Sequence, residues 1–413
     1  MSAEESSSPL LNGNAGLRAS DHGSDHASDW AFQPGVTYLN HGSFGASPLV
    51  VQAARTKWIR EHEANPMDFF VRRLPGLLEA SLLELAKFIN APVENLIFTS
   101  NATSGMNIVA ENTHLSAGDE VLLTDHEYGA VIRIWGQYCQ KVGAKTVMAR
   151  LPFPLTTADE LIEALFASVT PRTKLIVVSH VTSATGLNFP IKEICARAKS
   201  IGVPVCVDGP HAPAHVPVDL QQIDCDYYAA SCHKWLCAPF GTGFLYVRSR
   251  HKQGLRPNVI SWGRSLNANA PIWKDEFHWP GTFDPTGCLC LPDAIQFMKQ
   301  RGIDHFRNHS HTLVRSFRIQ LIDRIGATPL SPDDLQWYGS MSSMQLPLPN
   351  DTTPPGAVHS LQRFLWETHQ IEIPVSRWHE RKLIRASAHL YTQQHQIDHV
   401  VDAIEEWLKT QRK

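Results

Sequence analysis

Short runs of apolar residues recur between about residues 95 and 250, and each run ends in residues that form turns or cap helices. Branched and aromatic side chains dominate these runs, which predicts β-strands. The predicted strands are Asn95–Ser100, Glu120–Asp125, Thr146–Leu151, Lys174–His180, Pro204–Asp208, Asp226–Ser231 and Gly243–Arg248. Amphipathic helical segments such as Ala158–Val169 and Ile191–Ile201 lie between several of them. This alternation predicts an α/β fold whose mostly parallel sheet is covered on both faces.

The pattern changes from about residue 291 onward, where longer helical segments predominate. The predicted helices there are Pro292–Gln300, His305–Ile325, Ala357–His369 and Gln396–Thr410, with a proline-rich link at Leu346–Gly356. Because 413 residues exceed one ordinary domain, we expect a large domain over 47–290 and a smaller α+β domain over 291–413. Residues 1–29 are polar and are expected to form a disordered tail.

The charge and cysteine content narrow the classes of function. A formal net charge of −3 gives no strongly basic or acidic surface, so neither nucleic acid nor an anionic membrane is indicated as a partner. No apolar run is long enough to span a bilayer, and no secretory signal is visible, so a cytoplasmic protein is expected. The eight cysteines are scattered without paired spacing, which predicts buried free thiols.

Two predicted strands lead to residues whose side chains could take part in catalysis. Asp208 ends a buried run, where a carboxylate needs a cation such as a protonated pyridine nitrogen to offset its desolvation. Lys234 follows the next strand among apolar and aromatic residues, and burial lowers the pKa of an amine and makes it nucleophilic. Taken alone, an aspartate that caps a turn and a lysine that faces solvent are equally ordinary interpretations.

Two other strand ends offer groups for an anion and an aromatic ring. Ala102 and Thr103 lie where a strand runs into a helix start, and backbone amides there favour a phosphate, although such residues also serve as helix caps. His126 follows another strand end and is either a stacking group or a loop histidine. Ser231 and His233 flank the lysine with donors suited to a phosphate.

In this order the residues resemble the class V aminotransferase family, which has fold type I of the pyridoxal-5′-phosphate (PLP) enzymes and also contains the cysteine desulfurases. The resemblance covers nearly all of the chain after residue 30. The isopenicillin N epimerase-like branch is the most similar, through the segments Tyr38–Gly45, Thr124–Gly129 and Ser179–Gly186. The resemblance implies a seven-stranded sheet, PLP as cofactor, Lys234 as its Schiff-base lysine and Asp208 at its pyridine nitrogen.

The same resemblance assigns roles to further residues. It implies His126 over the cofactor ring, and it implies a phosphate site formed by Ala102, Thr103, Ser231 and His233. His211 stands where many relatives carry Gln beside the 3′-oxygen of the cofactor, and Thr182 or Ser183 stands where relatives carry Asn.

Three assignments concern the substrate and a second subunit. Arg385 matches the arginine that holds the substrate carboxylate, for which a guanidinium fork is well suited. Asn40 and His41, within an N-terminal arm over residues 30–46, would lie near the entrance. Thr282 matches the segment in which a threonine reaches the phosphate of the neighbouring subunit, which implies a homodimer with shared active sites, unless this segment is only a Pro-Gly turn.

The resemblance implies an amino acid substrate that loses its α-proton to Lys234. Epimerisation or racemisation, transamination, and β-elimination by a carbon–sulfur lyase remain open. A desulfurase is disfavoured because Ile373–Ile384, where that group carries its catalytic cysteine, has none.

Two other classes are weighed against the enzyme. A metal hydrolase that uses His211 and His215 is disfavoured by Pro213 between them and by the lack of a suitably placed glutamate, so no metal site is predicted. A non-catalytic PLP-binding protein is disfavoured by the presence of both Lys234 and Asp208.

Overall fold

The computed structural model describes residues 26–262, 273–348 and 357–411. The predicted tail over residues 1–29 and the proline-rich link over 346–356 lie mostly outside these ranges. In the described part the strands are β1 Thr37–Tyr38, β2 Leu96–Thr99, β3 Glu120–Thr124, β4 Lys145–Ala149, β5 Thr173–Ser179, β6 Val205–Asp208, β7 Tyr227–Ser231, β8 Gly243–Val247, β9 Thr328–Pro329, β10 Met341–Gln345, β11 Ile371–Glu372, β12 Val375–Trp378 and β13 Arg381–Ser387. The α-helices there are α1 Leu49–Ala64, α2 Leu74–Phe88, α3 Ala102–Asn112, α4 Gly129–Val142, α5 Ala158–Phe166, α6 Ile191–Ser200, α7 Leu220–Ile223, α8 Asp275–His278, α9 Thr286–Leu289, α10 Leu291–Arg301, α11 Ile303–Gln320, α12 Ser360–His369 and α13 Gln394–Thr410.

Among the described residues, seven strands form the main sheet in the order β2-β8-β7-β6-β5-β3-β4. All neighbouring strands are parallel except β8, which runs antiparallel to both β2 and β7. Each predicted strand lies within two residues of an observed one at both ends. The predicted α/β fold with a mostly parallel seven-stranded sheet is therefore confirmed.

Apolar side chains cover both faces of this sheet. Along β5, Ile176 and Val178 belong to one buried cluster, whereas Leu175 and Val177 belong to another. Successive side chains of a strand point to opposite faces, so the two clusters lie on opposite sides of the sheet. Strands buried on both faces have continuous apolar sequences, which is why the runs were visible in the sequence.

A smaller α+β part follows the main sheet along the chain. Its four-stranded antiparallel sheet has the order β12-β13-β10-β9; α11 packs against β10 and β13, and α13 packs against α11 and α12. The N-terminal arm joins this part, because β1 pairs in parallel with β11 and Asn40 forms a bridge with Ser387. The exact domain bounds stay a prediction. In the described residues no helix combines the length and apolar character that a bilayer span requires.

Candidate active site

A cavity of about 340 Å³ lies at the carboxyl edge of the main sheet. The carboxyl ends of β5, β6 and β7 lie side by side there, because these three strands are parallel neighbours. Polar residues from distant parts of the chain meet in this cavity. The predicted site residues that line it are Ala102, Thr103, Ser183, Asp208, His211, Ser231, His233, Lys234 and Arg385.

The amine of Lys234 is enclosed in this cavity, although the residue as a whole is only half-buried. Its Nζ atom lies 2.9 Å from Nε2 of His211. Burial lowers the pKa of Lys234 to about 7, the positive charge of Arg385 acts in the same direction, and Asp208 opposes both. The amine is therefore neutral and nucleophilic in a substantial fraction of molecules near neutral pH.

The turn that carries Lys234 is held by the N-terminal arm and by its own backbone. Nε2 of His41 lies 3.1 Å from the Lys234 carbonyl oxygen, which also accepts the amide of Cys237 at 2.9 Å. Gly45 packs so closely that a Cβ there would lie 2.6 Å from this oxygen and 2.7 Å from that of His233. His41 therefore contacts the backbone of the lysine turn and does not line the cavity.

Asp208 ends β6 with its carboxyl group at the cavity wall, and the residue is 4% exposed. Burial raises the pKa of Asp208 to about 7, the negative charge of Glu127 raises it further, and Lys234 lowers it. The chain must turn at once after this residue. A Cβ on Gly209 would lie 2.3 Å from the ring of Tyr228, so only glycine fits at that position.

The N-terminus of α3 faces the opposite end of the cavity. Asn101 caps this helix, since its Oδ1 accepts the amide of Ser104 at 2.9 Å. The amide of Ala102 donates to Oγ of Ser231 at 3.0 Å, which joins the helix start to the end of β7. A helix N-terminus with adjacent hydroxyl and imidazole groups is a favourable site for a phosphate.

Arg385 on β13 brings the smaller sheet to the cavity. It donates to the Ser183 carbonyl oxygen at 2.5 Å and to Oγ of Ser43 at 2.7 Å, and its contact with Oδ1 of Asn40 is 3.4 Å. Burial lowers the pKa of Arg385 to about 10, so it still carries its charge near neutral pH. Asn40 thus touches this arginine instead of lining the cavity.

Three residues of the cavity wall carry a buried nitrogen that has no hydrogen-bond partner among the described residues. These atoms are Nδ1 of His211, Nδ1 of His233 and Nε of Arg385. Buried polar atoms are nearly always paired in folded proteins, so these atoms on residues of the cavity wall are consistent with a polar ligand at this place. A phosphorylated pyridine with a carboxylate-bearing substrate fits these residues, with Asp208 and Lys234 at its two ends.

The sequence model described as Aminotransferase class-V matches residues 46–400. The chain belongs to the class V aminotransferase family. It is 36% identical to the isopenicillin N epimerase of Amycolatopsis lactamdurans, over 92% of this chain and 97% of that protein. The corresponding enzyme of Streptomyces clavuligerus is 34% identical, over 90% and 95%. A putative L-cysteine desulfhydrase of Oryza sativa subsp. japonica is 30% identical, over 83% and 74%.

Solved structures of related proteins share the fold. The cysteine desulfurase CsdA of Escherichia coli has a TM-score of 0.76 at 24% identity, and the comparison covers 93% of this chain and 98% of that one. The cystine C-S lyase C-DES, described in complex with cysteine persulfide, has a TM-score of 0.74 at 23% identity, over 89% and 97%. A variant of C-DES carries glycine covalently linked to PLP. Membership of the class V family supports PLP as the cofactor.

His126 is not among the residues that line this cavity, and its assignment over the cofactor ring stays a prediction. Its Nδ1 lies 2.9 Å from Oγ1 of Thr185, and its ring packs 4.5 Å from that of Trp378. Tyr128, two residues further on, lines the cavity instead. Both side chains belong to the turn after β3, and Trp378, which packs against His126, comes from the smaller sheet.

Two other predicted residues also lie outside the wall. Oγ1 of Thr182 lies 2.6 Å from that of Thr185 and accepts the amide of Leu187 at 2.9 Å, so it stabilises its own turn while Ser183 faces the cavity. Thr282 is exposed and lies apart from the cavity of its own chain. Its role toward a neighbouring subunit stays a prediction.

A cluster behind the Lys234 turn contains three residues of metal-ligand type that are also packed into the core. His41, Cys237 and His389 offer ligand atoms within 4.8 Å of one another, and all three residues are buried. However, the two imidazole rings are stacked, with centroids 4.2 Å apart and planes at 25°. Nε2 of His41 and Nε2 of His389 lie 3.6 and 3.5 Å from Sγ of Cys237. Both histidines bond to the backbone of the turn, at Lys234 and Trp235.

Sequence reasoning missed two residues of the site. Ser43 bonds to Arg385, and Glu127 lies buried near Asp208. Both occur in segments that carried the family resemblance, and this was the available signal. Neither occupies a strand end, so the pattern of strands alone gave no reason to select them.

Proposed function

We propose that the protein is a PLP-dependent enzyme that removes the α-proton of an amino acid and that its reaction is epimerisation or racemisation at Cα. The observation that carries this proposal is the meeting of an enclosed amine, a buried carboxyl group and a buried guanidinium group in one cavity, from Lys234, Asp208 and Arg385. The proteins with 36% and 34% identity over nearly their full lengths are isopenicillin N epimerases, which favours an isomerase.

The cofactor would be held by residues already described. Its phosphate would bind at the start of α3 with Ser231 and His233, its ring nitrogen would face Asp208, and Lys234 would bind it covalently. When bound, PLP withdraws electrons from the α-carbon of an amino acid and makes its proton acidic.

The residues of this chain supply binding, orientation and proton transfer. Arg385 would bind the α-carboxylate and fix the direction of the Cα–H bond. The neutral amine of Lys234 would take the α-proton as general base, because its pKa of about 7 is suited to proton transfer near neutral pH. Nε2 of His211, at 2.9 Å, would orient that amine.

Epimerisation requires a second acid that delivers a proton to the other face of Cα. We propose Tyr128 for this role. It lines the same cavity at the start of α4 after β3, whereas Lys234 follows β7, and the ends of β5 and β6 lie between the two strands. His126, the other candidate in this turn, packs against Trp378. Tyr128→Phe should retain exchange of the α-proton but lose inversion, whereas His126→Gln should retain inversion.

The reaction can be identified with a panel of amino acids in deuterated water. Deuterium at Cα with mixed chirality supports the epimerase, and a keto acid with aminated cofactor would identify a transaminase. Borohydride reduction of the cofactor-loaded protein should label Lys234, and Lys234→Ala should bind PLP noncovalently without turnover. Full activity in that variant, or no label on Lys234, would contradict the proposal.

A carbon–sulfur lyase is the second candidate. The 30% identity with an L-cysteine desulfhydrase favours it. All eight cysteines are buried, and none of them lines the cavity, so sulfur would leave as a small product and not as an enzyme-bound persulfide. Pyruvate and ammonia from L-cysteine would support this reaction. A non-catalytic PLP-binding protein would show no spectral change with any amino acid.

We also propose a homodimer with shared active sites and a cytoplasmic location. The exposed position of Thr282 is consistent with a contact to a second subunit. Light scattering should give twice the mass of the chain. Thr282→Ala should then weaken PLP binding, although Thr282 lies apart from the cavity of its own chain. A monomer with full activity would contradict this arrangement.

A further inference from the structure

A second buried carboxyl group lies near Asp208. Glu127 is 6% exposed and reaches the end of β5. Its Oε1 lies 2.6 Å from the Thr124 hydroxyl and accepts a hydrogen bond from the Ser179 amide at 3.2 Å. Its Oε2 lies 2.6 Å from the Ser179 hydroxyl. Ser179 is the register partner of Asp208 across β5 and β6. The two carboxyl groups are therefore close enough for the charge of one to act on the other.

We propose that Glu127 is a positioning residue that holds a proton, so that the single negative charge of the pair stays on Asp208. Two carboxylates in one buried region repel each other strongly, and the first charge suppresses the second. The charge settles on the group that has a cation beside it. That group is Asp208, which faces the amine of Lys234 across the cavity.

The groups that form hydrogen bonds with Glu127 in the described structure carry no charge. Its hydrogen-bond partners are two hydroxyl groups, which can donate or accept, and one backbone amide. On β6 the thiol of Cys206 is neutral, because burial raises its pKa well above the usual range. In the same turn His126 is neutral near pH 7, because burial lowers its pKa to about 3.

The consequence concerns the proposed cofactor. Burial raises the pKa of Glu127 to about 7, so this group is protonated below that pH and ionises as the pH rises through it. A cation at the ring nitrogen of PLP would hold the charge on Asp208 and would therefore keep the proton on Glu127 to a higher pH. The inference rests on the proposed cofactor site, but the proton can be located in the protein without cofactor.

Infrared spectroscopy of the cofactor-free protein tests the location of the proton. One pH unit below the pKa of Glu127, the carbonyl stretch of a buried carboxylic acid should be present. This band should move when glutamate is labelled with ¹³C. Glu127→Gln should remove this band, and Asp208→Asn should leave it. The matched control is Glu120→Gln, at the start of β3, the strand that precedes the turn with Glu127. Hydrogen bonds from Thr170 and Arg172 hold the pKa of Glu120 at about 2, so its loss should not change the band.

Loading with PLP provides the second measurement. The midpoint at which the band disappears should move to higher pH in the loaded protein than in the cofactor-free protein. A band that is insensitive to ¹³C-glutamate and disappears in Asp208→Asn would overturn the inference, as would its absence from the wild type. The labelled wild type gives this answer even if Glu127→Gln does not fold. Failure of the proposed function would instead appear as no borohydride label on Lys234, with the band of the cofactor-free protein unchanged.

Discussion

The Nζ atom of Lys234 lies 2.9 Å from Nε2 of His211, although 23 residues separate them in the chain. Burial and the charge of Lys234 lower the pKa of His211 well below its usual range, so the imidazole is neutral. A neutral ring can accept from an ammonium group or donate to an amine. This pair therefore holds the lysine in place in both of its protonation states.

The capture of PLP by Lys234 should depend on pH. Because the pKa of Lys234 is lowered to about 7, its amine is protonated below that value and neutral above it. The rate of covalent capture, measured by borohydride trapping in the cofactor-free protein, should rise as the pH increases through about 7 and then level off. A rate that continues to rise toward pH 10, as for an ordinary lysine, would show that the amine is not enclosed in solution.

Removal of the charge of Asp208 should impair catalysis more than folding. Asp208→Asn keeps the size of the side chain but cannot balance a cation at the ring nitrogen. We expect kcat to fall by at least about 10²-fold, as for the loss of other aligned charge-stabilising groups. The thermal midpoint should remain close to that of the wild type, because the carboxyl group is already penalised by burial. Wild-type turnover in this variant would exclude the assigned role.

Arg385→Lys should distinguish the contribution of the positive charge at this position from that of the planar guanidinium group. Lysine keeps the positive charge but loses the planar fork, together with the contacts to Ser183 and Ser43. We expect kcat/KM for the amino acid to fall by about 10²-fold, which corresponds to about 3 kcal/mol. The matched control is Arg377→Lys, since Arg377 pairs with Glu380 at the surface. Equal losses in both variants would argue against carboxylate binding by Arg385.

Gly45→Ala should destabilise the protein through a close backbone contact. The added Cβ would lie 2.6 Å from the Lys234 carbonyl oxygen, so the arm or the lysine turn must shift. We expect a loss of about 1–3 kcal/mol in the free energy of unfolding, measured with urea, and weaker PLP binding. Gly136→Ala is the control. Its Cβ would meet nothing within 4 Å, and it lies within α4, where alanine should stabilise the helix by up to about 1 kcal/mol.

Much of the fold could be predicted from local patterns. Strands buried on both faces require continuous apolar runs, and each of the seven runs became a strand of the main sheet. Asp208 and Lys234 could be selected because Asp208 ends such a run and Lys234 comes three residues after the next one, and parallel neighbouring strands bring their carboxyl ends to one edge. Arg385 was identified from its resemblance to the family and not from the strand pattern.

The sequence by itself therefore determined the strands, and it predicted the edge at which we propose the chemistry together with the amine and the acid there. Only the tertiary structure decided which neighbours those groups have. Tyr128 lines the cavity, and His126 packs against Trp378, which lies about 250 residues further along the chain. The contacts of Glu127 with Ser179 and of Arg385 with Ser43 also join residues that are distant in the chain. Apolar periodicity specifies which residues are buried, but it does not specify which distant side chains share the same volume.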